Sequence, residues 1–125
     1  MVSLTQFGFA QAESQAFQAQ LLLDAGNYQK ADHTAYQAML TAAKTLVQIQ
    51  WQDVPNDPDV IVEEFRKRFV DTKLFWDTYH ANQFSNYLLN RHEAPDARYT
   101  RETAHKLVEE ASLLLDAAHK CRAKV

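Results

Sequence analysis

Apolar residues recur every three or four positions along most of this chain, and only 2 glycines and 3 prolines interrupt them. From about Leu4 to Asp24 one row holds Phe9, Ala12, Ala16, Ala19 and Leu23, and a second holds Phe7, Ala10, Phe17 and Leu21. That spacing predicts a first helix with a wide apolar face. Ala25, Gly26 and Asn27 follow, residues that tolerate positive φ and can close a helix. A second helix is predicted from about Tyr28 to Gln50. Its stripe is Tyr28, Ala31, Ala35, Ala38, Ala42 and Ile49, flanked by Tyr36, Met39, Ala43, Leu46 and Val47. So many alanines predict a close approach between helices.

The segment from Trp51 to Pro58 reads as a loop whose end starts a helix, with Asp57 as N-cap, Pro58 in the first turn, and Asp59, Glu63 and Glu64 near the positive dipole end. The third helix is predicted to run to about Trp76, turning Ile61, Phe65, Phe69 and Trp76 inward and Arg66, Lys67 and Arg68 outward. A shorter fourth helix is expected around Tyr79 to Asn90, carrying Phe84, Tyr87 and Leu88. No Gly or Pro lies between Phe75 and His80, so the division there into two helices has no local breaker behind it. Arg91 to Arg98, with Pro95, reads as a connection. Tyr99 or Thr100 then opens a fifth helix in which Ala104, Leu107, Ala111, Leu114, Ala118 and Cys121 recur in alternating steps of three and four. No strand pattern occurs. The expectation is one all-α domain over residues 1–125, an antiparallel helical bundle with short connections.

Composition narrows the function classes. The 125 residues are 46% apolar, enough for a buried core, and a net charge of −3 with 23% charged residues describes an ordinary mixed surface. DNA binding is not expected from that balance. The single cysteine rules out an intrachain disulfide, the first residues show no basic and apolar leader pattern, and no stretch reaches the ~20 apolar residues of a membrane span. A cytoplasmic location without membrane attachment is the resulting expectation.

Gly26 to Ala31, then Ala35-Tyr36-Gln37-Ala38-Met39-Leu40-Thr41-Ala42-Ala43-Lys44-Thr45-Leu46, resembles the second-helix pattern of the HEPN family, and the likeness continues through Phe65 to Val70, Asn90 to Ala94 and the final helix. The resemblance implies an up-and-down four-helix bundle with one additional short helix, often a homodimer. It also implies a role as partner of a nucleotidyltransferase in a toxin-antitoxin or resistance module, as an RNA-cleaving toxin, or as a domain attached to another protein. The ribonuclease branch carries an Arg followed, after four to six residues, by a His. Aligned by position, Arg91 has Asp96, Ala97 and Arg98 at that spacing instead. Arg98 and His105 satisfy the bare spacing.

The chemistry this pairing offers is an imidazole moving a proton from a 2′-hydroxyl while a guanidinium holds the phosphate. The plainer reading makes Arg98 a solvated loop residue and His105 a partner of Glu102 or Glu109 one turn away. Arg91, Arg98, Arg101 and Tyr99 form the candidate nucleotide or RNA contact, and Arg66, Lys67, Arg68 and Lys73 a second basic patch offset by nearby acids. Asp77 with His80, Glu102 with His105, and Asp116 with His119 are spaced to share helix faces, but the core stripes lack the inward glutamates of di-metal bundles. No metal and no cofactor are expected. Cys121, on a core stripe, reads as buried. A tetratricopeptide-like reading of Gly26 to Ala31 fails because no second ~34-residue copy occurs. The leading expectation is a non-catalytic or weakly nucleotide-binding helical module that dimerises or docks onto a partner. The alternative is a metal-independent ribonuclease using Arg98 and His105. Whether the chain is an enzyme is left open by the residues alone.

Overall fold

Ser3 starts the first helix by accepting the Gln6 backbone N–H on its hydroxyl while the Gln6 side chain accepts the Ser3 N–H, both at 3.1 Å. The computed structural model describes residues 3–94 and 99–124, and places five α-helices there. They are α1 (Leu4–Asp24), α2 (Tyr28–Gln50), α3 (Pro58–Phe65), α4 (Gln83–Glu93) and α5 (Arg101–Arg122). Gly26, at φ 80, makes the tight turn that folds α2 back on α1, and Asn27 caps α2 by accepting the Lys30 N–H. No helix among the described residues is long and apolar enough to cross a membrane.

The α1–α2 hairpin is the tightest pairing, and its register is set by one residue. A Cβ built on Gly8 would stand 2.2 Å from Thr45 Oγ1. The glycine therefore lets the two backbones meet, and Thr45 satisfies its buried hydroxyl on the Thr41 carbonyl at 2.7 Å. The alanine row of α2 works as predicted: Ala31, Ala35, Ala38 and Ala42 are fully buried, with Met39, Ala43, Leu46 and Val47. Ile49, placed on the same stripe by its spacing, is instead exposed at the helix end.

α5 packs on both α1 and α2, antiparallel to α1: Glu13 bonds His119 near its end, and Asp24 shares a groove with Arg101 at its start. All six residues predicted for its core stripe, Ala104 to Cys121, are buried. α4 lies along α5, and α3 closes the side of α2.

The third helix ends earlier than its pattern predicts. After Phe65 the chain widens into a π-helical turn, Arg66–Val70, then reverses through Lys73 at φ 62. Phe65 and Phe69 are both fully buried, with ring centroids 6.0 Å apart, and the reversal returns Phe75 edge-on to Phe65 at 5.2 Å. Trp76, expected in the core, is 39% exposed, with the Lys73 ammonium 5.2 Å from its ring centroid.

The fourth helix also starts later, at Gln83 instead of Tyr79. Asp77 Oδ1 accepts the N–H groups of Tyr79 and His80 at 2.8 and 2.9 Å, and Asp77 and Ala81 exchange backbone bonds. Local side-chain bonding outcompetes the helix there, with Ala81 at φ 52. The interruption without Gly or Pro thus has a polar cause.

The first helix departs most from expectation. Its row of Phe9, Ala12, Ala19 and Leu23 is buried, but Phe7, Phe17 and Leu21 of the second row are 63%, 65% and 52% exposed. The wide apolar face is really two opposed faces, and only one is covered by the described residues.

Candidate functional site

The most elaborate polar arrangement spans α2, α3 and α4. Arg91, on the last turns of α4, donates from Nε and Nη2 to a single oxygen of Asp32, at 3.1 and 2.7 Å. The pair is buried, with side chains only 8% and 4% exposed. The guanidinium also lies over the Tyr36 ring, 4.8 Å from its centroid. Tyr36 sits one turn beyond Asp32 on α2, and its hydroxyl bonds His92 Nδ1 at 2.8 Å. His92 Nε2 then reaches the exposed Asp59 carboxylate at 2.8 Å in the first turn of α3. Burial raises the Tyr36 hydroxyl above its ordinary pKa, Arg91 opposes that, and Asp59 adds to it.

This carboxylate, imidazole and phenol chain has the connectivity of a proton relay, but its terminal hydroxyl is made less acidic by its surroundings. Arg91, meanwhile, spends its charge on Asp32. The arrangement fits a clamp that ties three helices together better than a reacting centre.

The remaining candidate residues lie elsewhere. Arg101 and His105, both exposed on the first turns of α5, line a separate groove of about 510 Å³ with Gln20, Asp24, Gly26 and Tyr28. Arg91 lines a different groove, between α4 and α5. Arg98 lies outside the described residues. Tyr99 is partly buried, its ring centroid 5.9 Å from that of His33. The candidate set is therefore divided, with Arg101 and His105 together and Arg91 apart.

Of the three carboxylate–histidine spacings, Asp77 and His80 do bond, at 2.9 Å, and that bond is the main reason the Asp77 carboxyl lies below its ordinary pKa. His119 turns to Glu13 of α1 at 2.6 Å, instead of to Asp116. Among the described residues no three His, Cys, Asp or Glu side chains converge as metal ligands. Arg66 and Lys67 pair with Glu63 and Arg68 with Glu64, so the predicted basic patch is an ion-paired surface. Burial lifts the Cys121 thiol to about 11, which keeps it protonated at neutral pH.

Sequence reading missed Asp32 and His92. Asp32 had a usable signal: it falls one turn ahead of Tyr36, Met39 and Ala43 on a buried row, where an acid requires a cationic partner. No family model, no curated protein and no solved structure matches this chain, so the site is assigned from its own geometry.

Proposed function

We propose that this chain is a non-catalytic helical module that pairs with a second copy through the outer face of α1, within a HEPN-like up-and-down bundle of α1, α2, α4 and α5 to which α3 is added. One observation carries the reading: the outward stripe of α1 is apolar and uncharged. At ~100° per residue, Phe7, Ala10, Ser14, Phe17 and Leu21 fall within an arc of about 80°, opposite the buried row. Glu13 and Asp24 are the only charges on the helix, and Glu13 is turned aside to His119. A helix apolar on both faces is one that is covered on both.

A second copy fits this stripe better than a charged partner does. Phe7 and Leu21 stand two turns either side of Ser14, so an antiparallel pair about a two-fold axis at Ser14 sets each Phe7 against Leu21 of the other copy. Phe17 then falls opposite Gln11, beside Ala10 of the other copy. Leu4, Phe7, Phe17 and Leu21 together leave on the order of 400 Å² of apolar surface open, the size of the largest patch on a typical monomer, which is often functional. Covering both copies removes on the order of 800 Å² of apolar surface from water, so flanking residues of α1 complete the roughly 1,000 Å² that a specific interface buries. The resemblance supplies a nucleotidyltransferase as the class of further partner.

The test is light scattering on wild type and on Phe7→Glu/Phe17→Glu. Wild type is expected at twice 14.4 kDa and the variant at 14.4 kDa with unchanged helicity. A wild-type monomer at high micromolar concentration removes the proposal. The ribonuclease alternative names Arg98, which lies outside the described residues, and His105, exposed on α5 in a groove it shares with Arg101, and is tested by incubating RNA with wild type and His105→Ala. Cleavage lost with that substitution would favour it.

A further inference from the structure

A second surface points to a ligand. α4 carries Asn82 at its N-cap, Asn86 and Asn90, and all three line a continuous groove against α5 that comprises lobes of about 770 and 330 Å³. The lobes share Tyr87, Asn90, Lys106 and Glu110. Side-chain amides at every fourth helical position make a ladder on one face. Among the described residues none of the three side chains has a hydrogen-bond partner. Asn82 does not cap the helix as an N-cap asparagine ordinarily does, and its Oδ1 is buried with nothing bonded to it. Asn86 and Asn90 are exposed and unpaired.

We propose that this groove binds an extended peptide segment of a partner protein by its backbone. An asparagine amide offers one donor group and one acceptor, the complement of a peptide N–H and C=O on the same edge of an extended strand. The spacing agrees. Four residues of helix rise about 6.0 Å, and two residues of extended chain about 6.7 Å, so Asn86 and Asn90, the two exposed members of the row, meet every second peptide residue with a drift of roughly 0.7 Å.

Charge balance argues for an uncharged segment over nucleic acid. Lys106 is offset by Glu110 one turn away on the facing wall, and Arg91 at the groove's end is already neutralised by Asp32. Trp76, partly exposed at the other end, supplies an indole surface for one apolar side chain of the peptide. This surface lies on α4 and α5 and is independent of the α1 pairing.

The probe is a phage-displayed library of random peptides selected on the full chain, the enriched sequences then being synthesised and titrated by fluorescence anisotropy. Enriched peptides are expected to bind Asn86→Ala/Asn90→Ala at least about tenfold more weakly than wild type, since each lost amide contact is worth around 1 kcal/mol. Both residues are exposed, so the variant keeps its fold, which its thermal melt verifies. A copy of the best peptide N-methylated at alternate residues should lose at least as much, while alanine at the same positions loses little, because recognition is through the backbone. No enrichment over background overturns the proposal. So does binding that survives the double substitution or tolerates N-methylation.

Discussion

Asp32→Ala leaves the Arg91 guanidinium, 8% exposed, without its counter-charge, and it should be the most destabilising single substitution at the polar clamp. Removing one member of a buried ion pair costs about 3–5 kcal/mol, because the survivor keeps its desolvation penalty. The Tyr36 ring, 4.8 Å from the guanidinium, remains and supplies only ~1–2 kcal/mol that it already supplied before. Domains of this size are stable by roughly 5–15 kcal/mol, so the loss is a large share of the total and corresponds to a fall in Tm of about 10–20 °C. Urea unfolding followed by far-UV circular dichroism measures it. Asp32→Leu/Arg91→Met, which removes both charges, should recover to within about 2 kcal/mol of wild type. A cost below about 1 kcal/mol for Asp32→Ala would refute the reasoning, as would a double variant no better than the sum of the two singles.

Other substitutions test the packing and the titrations. Gly8→Ala should destabilise despite the ~1 kcal/mol that alanine gains in helix propensity, because its Cβ meets the fixed Thr45 side chain; Thr45→Ala in the same chain should relieve most of the loss in thermal melts. Ala38→Leu should cost about 1–3 kcal/mol by overpacking, and exposed Gln37→Leu much less, in the same urea assay. Cys121, with its thiol raised to about 11, should resist iodoacetamide at about pH 8 in the native protein and react promptly in urea. Asp77 has a lowered native pKa, so the stability it contributes is present at neutral pH and lost as pH falls below about 4. In a Trp51→Phe background, Trp76 emission should report that loss, and Asp77→Asn should flatten it.

Helix number and the buried rows of α2 and α5 were legible because those rows alternate cleanly against polar neighbours, as in Ala104, Leu107, Ala111, Leu114 and Ala118. The end of α3 was not, because its cause is geometric. Phe75 returns to Phe65 through a π-helical turn and a reversal at Lys73 that leave no Gly or Pro behind. The start of α4 was hidden similarly, by a side chain of Asp77 competing for backbone N–H groups. At the candidate site, residue types were recognised but not their distances. Arg91 was grouped with Arg101 and His105 by sequence proximity, whereas its partner Asp32 lies 59 positions away on α2. Both rows of α1 were read correctly as apolar, yet periodicity does not distinguish a face buried within one chain from a face left for another.

Ser14→Cys examines that unshared face directly. In the antiparallel pair the two copies of residue 14 face each other across the two-fold axis, between helices about 8–10 Å apart. Buried Cys121 stays silent, so a short bismaleimide reports on the introduced thiol alone. The account predicts near-complete conversion of Ser14→Cys to a covalent dimer at low protein concentration, and none for Glu102→Cys at an exposed position of α5. Failure of Ser14→Cys to cross-link, or equal cross-linking by Glu102→Cys, would contradict pairing through α1.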